Sequence, residues 1–202
     1  MNTTIIYYTS NRENEAFEQK IRDRLPLDFP IISVSQKPIK LGKNICVGDI
    51  GACYENVYKQ MLIGCEAAKT PFVNFCEADT LYPPDYFAYQ PKELNKRYWF
   101  EPVYILYPLS PSLQNSFYFK GRSDCAHMAG REYVISLLKE AGPTGMKYKG
   151  KHRPTKVELE NPIINIKTGD GMRPKTQTAN FPVLSLPYWG KAKDIREELF
   201  EP

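Results

Sequence analysis

Phe72-Val-Asn-Phe-Cys-Glu-Ala-Asp-Thr-Leu-Tyr-Pro-Pro-Asp85 is the stretch on which the reading of this chain turns. Its opening residues, Phe72 to Cys76, form a compact apolar run of the kind a buried strand presents. The run empties into Glu77 and Asp79, and in a strand continuation positions i and i+2 face the same side. Two carboxylates held together repel each other unless a cation, a hydrogen-bond donor or water separates them, and Mg or Mn takes oxygen ligands of this type. The plain alternative is that either residue caps the turn at Pro83-Pro84.

Upstream, Tyr54 to Lys69 repeats Val57, Met61, Cys65 and Ala68 at helical spacing, and Thr70-Pro71 stops the helix. Thr4 to Thr9 (TIIYYT) reads as a first strand that ends in a polar turn. Glu13 to Leu25 carries Phe17, Ile21 and Leu25 on one stripe of a charged helix, closed by Pro26 and Pro30, and Pro30 to Val34 reads as a second strand. A loop rich in lysine, glycine and proline follows. Strands alternating with helices imply parallel βαβ units, hence an α/β, Rossmann-like, mostly parallel central sheet flanked by helices, with ligands outside the carboxyl ends of the strands. Downstream, Tyr82 to Phe119 is dense in aromatics and proline, and Met128 to Ala141 reads as a helix with Val134, Leu137 and Leu138 on one side. From Gly142 the chain is broken repeatedly by proline.

The 202 residues suit a single domain, 1–202. Hydrophobic residues at 42% and charged ones at 25% exclude disordered and fibrous classes. The N-terminus has no basic residue ahead of its short apolar run, so no signal peptide is expected, and no stretch approaches the ~18 apolar residues of a membrane span. The 5 cysteines lack CxxC spacing, which points to a reducing, cytoplasmic setting rather than to zinc or disulfides. Lys+Arg at 27 against Asp+Glu at 23 is mildly basic, but Lys147 to Lys175 concentrates Lys147, Lys149, Lys151, Arg153, Lys156, Lys167, Arg173 and Lys175 against Glu158, Glu160 and Asp170. That asymmetry suits a diphosphate or a polyanion, or else a solvated loop.

The run from Tyr54 through Phe87, a helix, a small-residue turn, an apolar strand and an acidic E-x-D followed by a hydrophobic residue and proline, resembles the family-2-like glycosyltransferases of GT-A fold. The resemblance extends back to Ile5-Ile-Tyr-Tyr-Thr-Ser-Asn11 and thins forward to Cys125-Ala-His-Met-Ala-Gly-Arg-Glu132, covering roughly the first 135 residues. It implies a nucleotide-sugar-binding half (1–90), an acceptor-side half (91–202) and a Mn or Mg cofactor. Carried over by position, Thr9 and Asn11 contact the nucleoside, Gln60 faces the donor, Glu77 addresses the ribose, and Asp79 is the metal-diphosphate ligand. Glu77, one methylene longer than the usual Asp, departs from the pattern.

Asp124 and His127, in the turn at the acceptor position, are the candidate catalytic bases; the structural alternatives are a helix N-cap for Asp124 and a filled polar niche for His127. Ile164-Asn-Ile-Lys-Thr-Gly-Asp-Gly-Met-Arg-Pro174 offers Lys167 and Arg173 with two glycines as a lid over the diphosphate. The resemblance thus implies sugar transfer to an acceptor hydroxyl. A hydroxylated pyrimidine in phage DNA suits the basic, aromatic C-terminal third; a bacterial surface glycan is the other acceptor. A nucleotidyltransferase or a non-catalytic sugar-nucleotide-binding protein is the second class. It expects a glycine-rich loop after the first strand, where this chain has Thr9-Ser-Asn-Arg-Glu-Asn.

Overall fold

The apolar run at the N-terminus becomes β1 (Thr3–Thr9), buried along its whole length. A computed structural model of the chain describes residues 2–121, 123–142, 153–169 and 181–201. After β1 come α1 (Glu15–Arg22), β2 (Ile31–Ser35), β3 (Lys43–Cys46), α2 (Tyr54–Ala67), β4 (Phe72–Glu77), β5 (Thr80–Leu81) and α3 (Pro84–Ala88). Then follow β6 (Arg97–Leu106), β7 (Phe117–Gly121), β8 (His127–Gly130), α4 (Arg131–Ala141) and β9 (Thr155–Ile166). The short strands β10 (Pro182–Val183), β11 (Ser185–Leu186) and β12 (Gly190–Lys191) precede a helix we number α5 (Ala192–Phe200). No helix among the described residues is long and apolar enough to cross a membrane.

The fold is α/β, built on a central, mostly parallel sheet flanked by helices. Ten strands form one sheet in the order β10-β7-β6-β8-β4-β1-β2-β3, with β9 beside β6 and β5. Its three longest ladders, β6–β9, β1–β4 and β1–β2, are all parallel. Antiparallel pairing enters where β8 joins β4 and β6.

Alternation along β1 divides the core. Ile5 and Tyr7 face the side covered by Tyr86 and Phe87 of α3. Ile6 and Tyr8 face α2 and α4, against Met61, Cys65, Val134 and Leu138. A third cluster joins Phe17 and Ile21 of α1 to Ile195 and Leu199 of α5, with Phe17 and Phe200 stacked at 4.8 Å. Helix α1 starts where Asn14 Oδ1 accepts from the backbone N–H groups of Ala16 (2.9 Å) and Phe17 (3.3 Å). Helix α2 lies so close to β1 that a Cβ at Gly64 would sit 2.4 Å from Ile6 Cγ2.

Several elements go beyond the sequence expectation, among them β3, β8, β9 and α5. β3 forms inside the Lys/Gly/Pro loop, paired parallel to β2. Residues 128–130, expected to open a helix, are strand β8, because they fill the slot between β4 and β6 and are entirely buried. β9 runs 12 residues through the proline-broken region. It tolerates Pro162 because its ladder with β6 shifts register between Glu101 and Val103, whose partners are Glu158 and Ile163, so the proline falls in the irregularity. Helix α5 likewise forms in the C-terminal stretch, after the last of the prolines that break the chain from Gly142.

Candidate functional site

Parallel pairing brings the carboxyl ends of three strands level: Tyr8 lies beside Glu77, and Thr9 beside Ser35. Ligand clefts of open α/β sheets open at such an edge. β4 delivers Glu77 there, the chain turns through Ala78-Asp79, and β5 pairs antiparallel with β9 so that Thr80 lies opposite Asn165. Asp79's carbonyl accepts from the N–H of Ile166 at 2.7 Å, locking the turn to the end of β9. The next residue, Lys167, places its Nζ 2.9 Å from Asp79 Oδ2. The other carboxylate oxygen, Oδ1, accepts from Asn165 Nδ2 and the Thr80 hydroxyl, both at 3.1 Å. Glu77 Oε1 accepts from the Tyr8 hydroxyl at 2.9 Å. Lys120 of β7 extends the cluster, with Nζ 3.1 Å from Asn165 Oδ1.

Burial, then the neighbouring Asp79 charge, push the Glu77 carboxyl up to about 7 against the opposing pull of Lys167 and the Tyr8 hydroxyl. Burial by itself would lower the Lys167 ammonium, but the Asp79 carboxylate, and then Glu77, overcome it and hold Lys167 above its ordinary value. The cluster is therefore an ammonium paired with the Asp79 carboxylate, beside a second carboxyl that gives up its proton less readily than an exposed one.

Two cavities meet at this cluster. One, of about 440 Å³, lies between the end of β1 and the start of α2 and is lined by Thr9, Glu13, Cys53 and Gln60 as well as Asp79. The N-cap residue of α2, Cys53, makes no side-chain cap hydrogen bond, and the Gly51-Ala52-Cys53 approach lines this cavity, so the positive end of the helix faces it. The other, of about 430 Å³, is lined by Trp99, Lys120, Ser123, Asp124 and Asn165. Tyr54, Glu77 and Lys167 line both.

The expected site residues divide. Glu77, Asp79, Lys167, Thr9 and Gln60 come together at the first cavity, and Asp124 stands at the second. Thr9 and Gln60 are committed internally: Thr9 Oγ1 donates to buried Glu18 at 2.7 Å, and Gln60 Nε2 donates to the carbonyls of Thr9 (2.8 Å) and Val34 (2.9 Å). They shape the cavity wall. Asn11, at φ 52°, does not line the cavity; its Oδ1 accepts from Gln36 N and Lys37 N, stapling the loop after β1 to the loop after β2.

His127 is a core residue rather than a base. It stacks on Phe75 at 4.3 Å, its Nδ1 meets the Asp124 carbonyl at 2.8 Å, and it lines neither cavity. Burial, reinforced by Arg97, lowers it to about 4, so it is a neutral ring at physiological pH. Arg173 lies outside the described residues. Lys167, expected on a mobile lid, is instead fixed at the end of β9, where its N–H donates to the Leu106 carbonyl at 2.9 Å. Lys120, Asn165, Trp99 and Tyr54 were not anticipated. Only Asn165 left a readable mark, as a lone amide in the apolar run Ile163-Ile-Asn-Ile166.

The residues present do not suit a divalent cation as they stand. Asp79, the expected ligand, already accepts from an ammonium, an amide and a hydroxyl. Among the described residues no three His, Cys, Asp or Glu side chains gather as a metal cage. Mg needs only one or two carboxylates beside phosphate oxygens, so the absent cage decides nothing; the misfit lies in the ammonium already on Asp79.

No protein-family model and no curated protein sequence matches the chain. Solved structures do. S. aureus TarS 1-349 in complex with UDP-GlcNAc aligns with a TM-score of 0.52 at 10% identity, over 92% of this chain and 62% of that one. CMP:2-keto-3-deoxy-manno-octonic acid synthetase complexed with CTP aligns with a TM-score of 0.51 at 10% identity, over 89% and 94%. The bifunctional IspDF from Campylobacter jejuni gives 0.47 at 11% identity, and the chain spans 50% of its length. At these identities the likeness is one of fold.

Proposed function

We propose that this protein is a glycosyltransferase that moves a sugar from a nucleotide-diphospho-sugar to an acceptor hydroxyl. The observation that carries this reading is the pair of cavities joined at Glu77 and Lys167. A donor split by its diphosphate fits that plan: nucleoside in the first cavity against the end of β1 and the start of α2, diphosphate at Lys167, sugar and acceptor in the second. In the transfer, the bond from the anomeric carbon to the diphosphate oxygen breaks and its electron pair stays on that oxygen. The acceptor oxygen bonds to the anomeric carbon, and its proton passes to the Asp124 carboxylate at the second cavity.

The fold is shared with a UDP-GlcNAc-bound and a CTP-bound protein, so a nucleotide ligand suits either transfer class. The loop after β1 favours sugar transfer over nucleotidyl transfer. It has no glycine, and it puts Glu13 on the first cavity, where the Thr168 hydroxyl donates to it at 2.5 Å. A triphosphate would meet a carboxylate there.

As acceptor, a hydroxylated pyrimidine in DNA draws its support from the charge asymmetry of Lys147 to Lys175, most of which lies outside the described residues. Binding to duplex DNA should then fall by about 0.9 in log K per phosphate neutralised for each decade of salt; salt-independent or absent binding turns the reading to a glycan acceptor. The donor test is a thermal-shift panel of UDP- and GDP-sugars, followed by assay of nucleoside diphosphate release. A donor at 100 Kd stabilises by about 2.7 kcal/mol. No shift with any nucleotide sugar, but pyrophosphate release from a nucleoside triphosphate, would move the protein to the nucleotidyltransferases.

A further inference from the structure

We propose that Lys167 is the resident cation of the diphosphate site, so that donor binding and leaving-group stabilisation proceed without a divalent metal ion. The proposal rests on the donor reading above and deepens it.

A metal ion at such a site sits between a carboxylate and the diphosphate oxygens and neutralises the charge that develops on the leaving group. Lys167 already occupies the carboxylate side of that position, its Nζ 2.9 Å from Asp79 Oδ2. Its side chain is 23% exposed, and that exposure opens on both cavities. An ammonium has three donors; among the described residues one is taken, by Asp79, which leaves two for phosphate oxygens.

The arrangement is built rather than incidental. The Lys167 backbone is pinned to Leu106 at the end of β9, and Asp79 is held from its other side by Asn165 and Thr80. The carboxylate therefore cannot swing away to a metal without abandoning several donors. A divalent ion entering beside Asp79 would also meet a fixed positive charge at contact distance, which Coulomb repulsion disfavours. Burial works against the ammonium, but the Asp79 carboxylate at 2.9 Å, and then Glu77, overcome it and hold Lys167 above its ordinary value.

Lys120, reaching the second cavity through Asn165, supplies a further positive charge. In the transfer step the electron pair of the breaking bond adds charge to the diphosphate, and the Lys167 ammonium meets it while keeping its proton. A lysine is a compact, strongly hydrated point charge suited to that role.

The test is calorimetric titration of wild type with UDP, GDP and CDP, once in excess EDTA and once with MnCl2. The expected result is that the best-bound diphosphate keeps its Kd within about twofold between the two conditions. Lys167→Ala in EDTA should raise Kd by about tenfold or more, the scale of one lost charge-assisted hydrogen bond, and Lys167→Arg should recover part of it. In Lys167→Ala, with Asp79 released, added Mn should regain affinity that EDTA denies.

Wild-type binding that collapses tenfold in EDTA and returns with Mn overturns the lysine assignment while leaving the donor reading intact. Lys167→Ala binding as tightly as wild type in EDTA overturns it too. No diphosphate bound in either condition overturns the donor reading and this proposal together. The wild-type comparison needs no variant, so a poorly folded mutant cannot shelter the idea.

Discussion

Replacing Glu77 by glutamine should make the protein more stable at alkaline pH and change little in acid. Burial and the adjacent Asp79 raise this carboxyl from the ordinary 4.5 to about 7. A folded-state value above the unfolded one means the native protein binds the extra proton. The group therefore favours folding fully below pH 4.5, and that contribution is lost as pH rises through 7. At about 1.36 kcal/mol per pH unit, the loss at pH 8.5 caps at roughly 3 kcal/mol. Glu77 lines two open cavities, so solvent screening brings the figure to about 2 kcal/mol. At pH 5 the same arithmetic, with the same screening, leaves about 0.5 kcal/mol. Glutamine removes the charge and still accepts from the Tyr8 hydroxyl.

For a chain of this size about 2 kcal/mol corresponds to a Tm roughly 4–8 °C higher. Differential scanning calorimetry of wild type and Glu77→Gln at both pH values reads the difference. An equal Tm at pH 8.5, or a gain that does not shrink in acid, would show that Glu77 is not charged against its surroundings, and the electrostatic picture of the cluster would fall with it.

Asp79→Asn should cut donor turnover by about a hundredfold or more, since it unpairs the Lys167 ammonium at the reacting phosphate; release of nucleoside diphosphate from a nucleotide sugar measures it, and near-normal turnover refutes the role. Asn165→Ala breaks links to Asp79, Thr80 and Lys120 at once, and its effect should appear in kcat with the circular dichroism spectrum unchanged. His127→Ala should cost about 2–4 kcal/mol in urea unfolding through lost stacking on Phe75, with the donor Kd unmoved; a weakened donor would return the histidine to the site. Gly64→Ala forces a methyl into Ile6 at 2.4 Å and should cost about 1–3 kcal/mol.

The N-terminal half of the fold was legible because each signal there is local. The strands Thr4 to Thr9, Pro30 to Val34 and Phe72 to Cys76, and the helix at Tyr54, each announce themselves within a dozen residues, and the structure reproduces them nearly in place. Glu77 and Asp79 stood out for the same reason. The C-terminal half was obscure because its elements are fixed by distant partners. β9 carries Pro162 and owes its length to pairing with β6 and β5. His127-Met-Ala-Gly130 has helical neighbours in sequence but strand neighbours in space. Lys120 and Asn165 acquire their role only through that long-range packing. Conversely, Asn11 and His127 looked functional because polar residues near a motif invite that reading, and only their bonding reveals architecture.

The pairing of β5 with β9 also sets the order in which the protein can be completed. Lys167 reaches Asp79 across 88 residues of sequence, and Asn165 reaches Thr80 across 85. Contacts so distant are slow to form, because the entropy of closing the intervening loop must be overcome first. A nascent chain emerging from the ribosome thus has β1, β2, α2 and β4, and with them both carboxyls, well before it has the cation that reconciles them. Until β9 arrives, Glu77 and Asp79 have the Tyr8 and Thr80 hydroxyls but not the ammonium of Lys167. A chain that ends before β9 therefore lacks the Lys167 ammonium that the proposed diphosphate site depends on.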